Sequence, residues 1–300
     1  MSPIPKLPCS RRGRAAFSLL ELLVSMGLLS VIVLALFSMF DQTQKALHTA
    51  IAQTDVMEPG RSAMDLLTRD VERGRATRFA GVTNLLITRL DRSGPYFIPG
   101  VLDAYHRDSA LHELFYVSPL KGIQWTAQGW FVADDIDPSQ PPDSTRLGTL
   151  YRFESTNVAV LRGTKVTNDF NRQWVEFTRR STNASQFGRL MDGIVFFRAT
   201  AFSANGLPLD SWVPPRDIPA GVVITNLSSS VSLTGFTNQA LPTALEVEFG
   251  VLPPKLLTQY RSLPSGNPGN AASFRSNFFV KYRGDVQVFR QRISLSSAIQ

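Results

Sequence analysis

Cysteine is almost missing from this sequence: Cys9 is the only one in 300 residues. It lies in a short basic leader, ahead of the long apolar run, whereas a lipoprotein signal would place it behind that run. Once the leader is removed the chain has no thiol. That excludes a cysteine nucleophile, Cys-ligated zinc and a disulfide framework, and it fits an exported protein. Histidine is nearly as scarce. His48, His106 and His112 form no HExxH or other zinc-ligand pair, and each is expected on a loop or helix surface. There is no Gly-x-Ser-x-Gly elbow, no Gly-rich phosphate loop and no dinucleotide fingerprint. The expectation is therefore a protein that is not an enzyme.

Acidic residues are absent from residues 1–16, which hold Lys6, Arg11, Arg12 and Arg14 and so supply four of the seven net positive charges. The other 284 residues are nearly balanced, with 27 basic and 24 acidic side chains. The positive charge is thus mostly a property of the leader. With no basic stripe interleaved with aromatics, no nucleic-acid partner is expected. The composition, 43% hydrophobic and 18% charged, is that of a globular chain and not a disordered one.

What is present is one long apolar run, FSLLELLVSMGLLSVIVLALFSMF from Phe17 to Phe40, with Glu21 its only charge. Twenty-four helical residues reach about 36 Å, enough to cross a hydrocarbon core of about 30 Å. The basic leader puts residues 1–16 in the cytoplasm and the remainder outside. An ordinary cleaved signal needs a shorter run and a small-x-small site directly behind it, and the nearest Ala-x-Ala, at Ala50 and Ala52, comes too late. A plain signal anchor fits the hydropathy but leaves Glu21 without a reason. A carboxylate costs about 2–3 kcal/mol at mid-bilayer, so such a charge implies a partner.

A basic leader, a small residue, then Phe17-Ser18-Leu19-Leu20-Glu21-Leu22-Leu23-Val24 resembles the type IV prepilin signature. The resemblance implies a prepilin peptidase that cuts between Ala16 and Phe17, methylation of the new Phe17 amine, and Glu21 as the fifth mature residue. It also implies that Glu21 pairs with the N-terminal amine of a neighbouring subunit. The family normally has Gly before the cut, where Ala16 stands here.

Past Phe40 the chain turns polar, with Ala46, Leu47, Ala50 and Ile51 on one helical face. Pro59-Gly60 predicts a kink or short break. Met64, Leu67 and Val71 then resume an amphipathic stripe. From about residue 80 the pattern becomes short strands between turns: 85–90, 113–117, 128–133, 150–153, 175–178, 193–201, 222–226, 245–252, 278–282 and 286–293. The alternation Leu245-Glu246-Val247-Glu248-Phe249 predicts a sheet with one wet face. Trp125, Trp130, Trp174 and Trp212 lie in or near these runs, and core packing is the expected role.

The fold class expected is α+β and pilin-like: a long N-terminal transmembrane and stalk helix packed on an antiparallel β-sheet head. The divisions expected are a leader at 1–16, an assembly helix at 17–40, a stalk at 41–78 and a β-rich head at 79–300. A second resemblance lies in the head. Met191-Asp192-Gly193-Ile194-Val195-Phe196-Phe197-Arg198, Trp212 and Leu241-Pro242-Thr243-Ala244-Leu245-Glu246-Val247 are similar to the ending of J-type minor pseudopilins of type II secretion. The segment Met64–Arg73 also resembles the J-type segment after the stalk. The tail Val288-Phe289-Arg290-Gln291-Arg292-Ile293 resembles pilin-like cassette proteins of the Verru_Chthon type.

Asp134, Asp135 and Asp137 form the only acidic cluster with metal-binding character, because alternating oxygen ligands can hold Ca²⁺. The EF-hand Gly and terminal Glu are missing, so a solvated turn before Pro138 is the preferred reading and no cofactor is expected. The function expected is a structural minor pilin or pseudopilin subunit, inserted in the bacterial inner membrane with its head in the periplasm. Its partners would be prepilin peptidase and other pilin-like subunits. The alternatives are a ligand-binding minor pilin, for DNA uptake or adhesion, and a signal-anchored periplasmic protein with its own activity.

Overall fold

The structure, a computed structural model, describes residues 18–77, 79–91, 110–133, 147–160, 166–179, 186–209, 218–228, 231–263, 274, 277–278 and 281–295. It opens with one helix of 54 residues, α1 (Leu19–Glu72). Contacts divide the chain between Ile51 and Ala52, so the last stretch of α1 belongs to the head.

The head is a sheet of ten strands: β1 (Thr83–Asp91), β2 (Ala110–Lys121), β3 (Gln124–Ala133), β4 (Gly148–Glu154), β5 (Ala159–Val160), β6 (Phe187–Phe202), β7 (Val222–Ser228), β8 (Val231–Thr237), β9 (Ala244–Val251) and β10 (Gln287–Ser294). Among the described residues, the helices α2 (Val166–Arg179) and α3 (Pro254–Arg261) accompany it. The strand order is β10-β9-β6-β4-β3-β2-β1-β8-β7, with β5 paired to β3. Its neighbours pair antiparallel, which completes the expected α+β arrangement of a long helix and an antiparallel head. A bridge at Leu111↔Phe197 also joins β2 to the sixteen-residue β6.

Alternation along the strands sorts the core onto two faces. One face carries Leu85, Leu114, Trp130, Leu150, Phe197 and Phe249, and it is covered by Val56, Ala63, Met64, Leu67 and Val71 of α1. The other carries Leu86, Phe115, Phe131 and Phe153 under Phe170 and Phe177 of α2, and further along Val195 and Phe196 beside Tyr260 of α3. The expectation of one wet face is corrected here. All but the first residue of β3 is buried, and so are all but one of β9. Solvated positions persist locally, as at Arg290, which bonds to Glu246 at 2.8 Å.

Three other expectations change. Residues 175–178, read as a strand, lie in α2, whose buried Val166, Phe170, Gln173 and Phe177 repeat at helical spacing. The β-branched and aromatic content of Trp-Val-Glu-Phe-Thr masked that period. The Phe177 ring presses on Gly129 of β3 so closely that any side-chain carbon there would overlap it. Residues 278–282, also read as a strand, are helical at 277–278 and 281–282. Phe278 and Tyr282, four apart, meet at 4.7 Å between ring centroids, and Phe278 packs on Tyr260 at 5.5 Å. Finally, α1 passes through Pro59 without a break. Gly60 is buried against the head, where the Phe289 ring occupies the space a side chain would fill. Packing overrides the local cost of the pair.

Candidate functional site

The first part of α1 has the features expected of an assembly segment. Leu19–Leu47 is long and apolar enough to cross a membrane, and none of its most apolar window is buried. Leu19 is 83% exposed and Phe37 68%. A surface of this kind is stable only against lipid or other helices. Three of its hydroxyls are satisfied within the helix: Ser25 donates to the Leu22 carbonyl, Ser30 to that of Met26 and Thr43 to that of Met39, at 2.8 to 2.9 Å. None of them needs water. Polarity returns at Asp41, whose carboxylate takes a 2.7 Å bond from Lys45.

Glu21 is the one charge before that point, and it occupies the first turn of α1. The helix starts where it does because Ser18 caps it, its hydroxyl accepting the Glu21 backbone N–H at 3.2 Å. Ser18-x-x-Glu21 therefore has the spacing of a capping box, a local signal for the start of a helix. A carboxylate in the first turn also faces the positive end of the helix dipole, a placement worth about 0.3–1 kcal/mol. The cleavage residues Ala16 and Phe17 lie outside the described residues.

Residues 11–37 match the family model for the prokaryotic N-terminal methylation motif. The chain carries the signature of type IV prepilin-like proteins. Such a motif implies processing by a prepilin peptidase and assembly with other pilin subunits, points to a structural subunit, and accords with an inner-membrane anchor. No curated protein and no solved structure matches the chain.

Among the described residues, the others singled out in the sequence do not converge on a second centre. Among the described residues, no group of three or more His, Cys, Asp or Glu could hold a metal. Asp134, Asp135 and Asp137 lie outside the described residues, as do His106 and Trp212. His48 is on α1. His112, expected at the surface, is instead buried on β2, with Nδ1 2.9 Å from the Ala199 carbonyl oxygen and 3.0 Å from its nitrogen. Either neutral tautomer thus finds a partner in β6, while Nε2 is buried without one. Burial, with smaller contributions from the Arg89 and Arg198 charges, lowers its pKa to about 3, against a weaker opposing effect of the Ala199 bond. A histidine held neutral in this way joins β2 to β6 and is unavailable as a proton carrier.

Trp125 and Trp130 are buried, and Trp174 packs edge-on against Phe115 at 5.1 Å. The J-like segments form β6 and β9, and the tail segment forms β10, so these motifs occupy three adjacent strands. Beside them a groove of about 450 Å³ is lined by Pro59, Met191, Asp192, Leu252 and Leu257 among others. Its carboxylate is engaged: Asp192 accepts bonds from Thr149 at 2.9 Å and from Arg189 at 2.6 Å. Burial opposes the charge, but those bonds and the nearby Arg189 and Arg261 charges hold Asp192 below the usual carboxylate range. The groove pairs no nucleophile with a base.

Proposed function

We propose that this protein is a minor pilin or pseudopilin subunit that serves protein secretion. The leader is cut between Ala16 and Phe17, the Phe17 amine is methylated, and the mature chain joins a pilus or pseudopilus through α1 while its head faces the periplasm. The observation that carries this reading is Glu21, a single carboxylate in the first turn of α1, whose residues up to Phe40 are otherwise uncharged and exposed, inside the methylation motif. Minor status rests on size, since 284 residues follow the leader.

The mechanism is association and not bond chemistry. A free α-amine has a pKa near 7.7–8.0 and is charged at neutral pH. Cleavage would thus create a cation beside a membrane-embedded anion. Placed on neighbouring subunits, the amine of Phe17 and the carboxylate of Glu21 relieve each other's desolvation, while the apolar sides of the helices pack together. Pairing across subunits also sets the axial stagger. No cofactor is proposed, because none of these steps needs one.

The test is the mature N-terminus of the chain produced with a prepilin peptidase, read by intact mass and peptide sequencing. The expected product starts at Phe17 and is heavier by one methyl. A chain that keeps residues 1–16 would overturn the reading. Glu21→Ala is expected to leave membrane insertion intact and to reduce incorporation at least tenfold. Normal incorporation would remove the pairing mechanism.

A further inference from the structure

The head-bound stretch of α1 touches the sheet mainly through aliphatic side chains: Val56, Ala63, Met64, Leu67 and Val71. Such contacts are non-directional and recur every three to four residues. A helix held by them alone could move along its axis by one turn, about 5.4 Å, and meet the sheet with a similar apolar stripe. Two contacts in this stretch do not repeat. At one end, Gly60 receives the Phe289 ring of β10, and a slip of one turn would bring Val56 or Met64 to a place where no side-chain carbon fits. At the other, Asp70 is only 1% exposed and takes a 2.5 Å bond from Arg152 Nε of β4. The same guanidinium bonds Glu154 at 2.8 Å, so it is held in place from the sheet side. A slipped helix would strand the Asp70 carboxylate in apolar surroundings.

We infer that Gly60–Phe289 and Asp70–Arg152 form a two-point register clamp that fixes the axial position of α1 on the head. The points are ten residues apart, about 15 Å along the helix, and they grip different strands of the sheet, the edge strand β10 and the interior strand β4. One excludes slip by volume and the other by charge. In a subunit drawn along by its helix, as under the reading proposed above, the clamp keeps the head at a fixed height on α1 under axial load. The clamp itself does not depend on processing at Phe17, so the two ideas fail separately.

The test is pulsed electron spin distance measurement on the full chain in detergent, with Cys9→Ser and spin labels at Arg61→Cys and either Val288→Cys or Val223→Cys. These positions are exposed on α1, β10 and β7. The clamped protein is expected to give one narrow distance for each label pair. Replacing the charge pair by Asp70→Leu with Arg152→Met keeps apolar contact and removes direction, and a second population displaced by about 5 Å is expected in at least one pair. Gly60→Ala, which closes the notch, is expected to displace α1 in the same measurement. Asp70→Asn, which retains a hydrogen bond to Arg152, is expected to restore a single population. Unchanged distances in both label pairs, in either the charge-swap variant or Gly60→Ala with native strand content by circular dichroism, would overturn the clamp.

Discussion

Two lengths of the same helix solve opposite problems. From Leu19 to Phe40 the side chains, Glu21 and a few serines apart, are apolar on every side and lie open. From Ala52 to Glu72 the apolar positions narrow to one stripe, and Val56, Leu67 and Val71 are at most 3% exposed while Glu72 and Arg69 face outward. Backbone geometry is the same in both, so helix formation does not distinguish them. The distribution of apolar side chains around the axis does: all round for a lipid or helix-bundle environment, one-sided for a sheet. Polar atoms follow the same rule only in part. Hydroxyls fold back onto the helix in both lengths, as at Ser25, Ser30 and Thr68, but in the second Asp70 also reaches across to Arg152 of the sheet.

The comparison breaks most directly by making one substitution in both lengths. Leu67 is fully buried in the head core, and Leu67→Ala should cost about 2–5 kcal/mol of head stability. Leu29 is 63% exposed, and Leu29→Ala should leave head stability unchanged within about 0.5 kcal/mol. Urea unfolding in detergent, followed by tryptophan fluorescence, separates the two, because Trp125, Trp130 and Trp174 all report on the head core. Equal losses would mean that the two parts of α1 do not stabilise separate environments.

Acid sharpens the comparison by acting within the head. The pKa of His112 is about 3 when folded and about 6.5 when exposed. The folded pKa is the lower one, so the unfolded chain binds the proton first. Stability is therefore complete above about pH 6.5 and falls as pH drops toward 3, by about 2 kcal/mol at pH 5 from this residue. The measurement is the pH slope of unfolding between pH 7 and 5, compared with that of His112→Gln, which should be flatter. Identical slopes would show that His112 is not held neutral. Amide protection factors, which correct for the intrinsic pH dependence of exchange, should fall on acidification at β2 and β6, where the His112–Ala199 contact lies.

How legible this was in the sequence varied with the range of the forces involved. The exposed apolar start of α1 was legible, because a twenty-four-residue run with one carboxylate is a local pattern. Strands such as β1, β3 and β9 were legible for the same reason, their alternation lying within each strand. The short β8, Val231–Thr237, was hidden by the serines before it, and α2 by its β-branched and aromatic residues. The second covered face was not legible, since nothing in Leu245–Phe249 tells which helix returns over it. Nor was the role of Pro59-Gly60, where a local breaker signal loses to a ring 229 residues away in sequence. His112 misled for a related reason: its burial depends on β6, which approaches β2 only through the tertiary fold.

The smallest effect is expected between the two lengths of helix, at the Asp41–Lys45 pair. Its 2.7 Å geometry is as good as that of many buried bonds, but both side chains are exposed, 62% and 75%. Solvent screens such a pair, and ordering two long side chains offsets much of the attraction, so an exposed pair one turn apart is worth about 0.3–0.5 kcal/mol. Lys45→Ala should therefore shift head unfolding by less than the error of a urea titration, whereas pairs of similar geometry that involve Asp70 should not tolerate loss of one partner. A measured loss above about 1 kcal/mol for Lys45→Ala would place residues 41–45 against the head and move the boundary between the two environments toward the membrane span. A null result locates that boundary between Lys45 and Val56, which among the described side chains is the first buried aliphatic of the docked stripe.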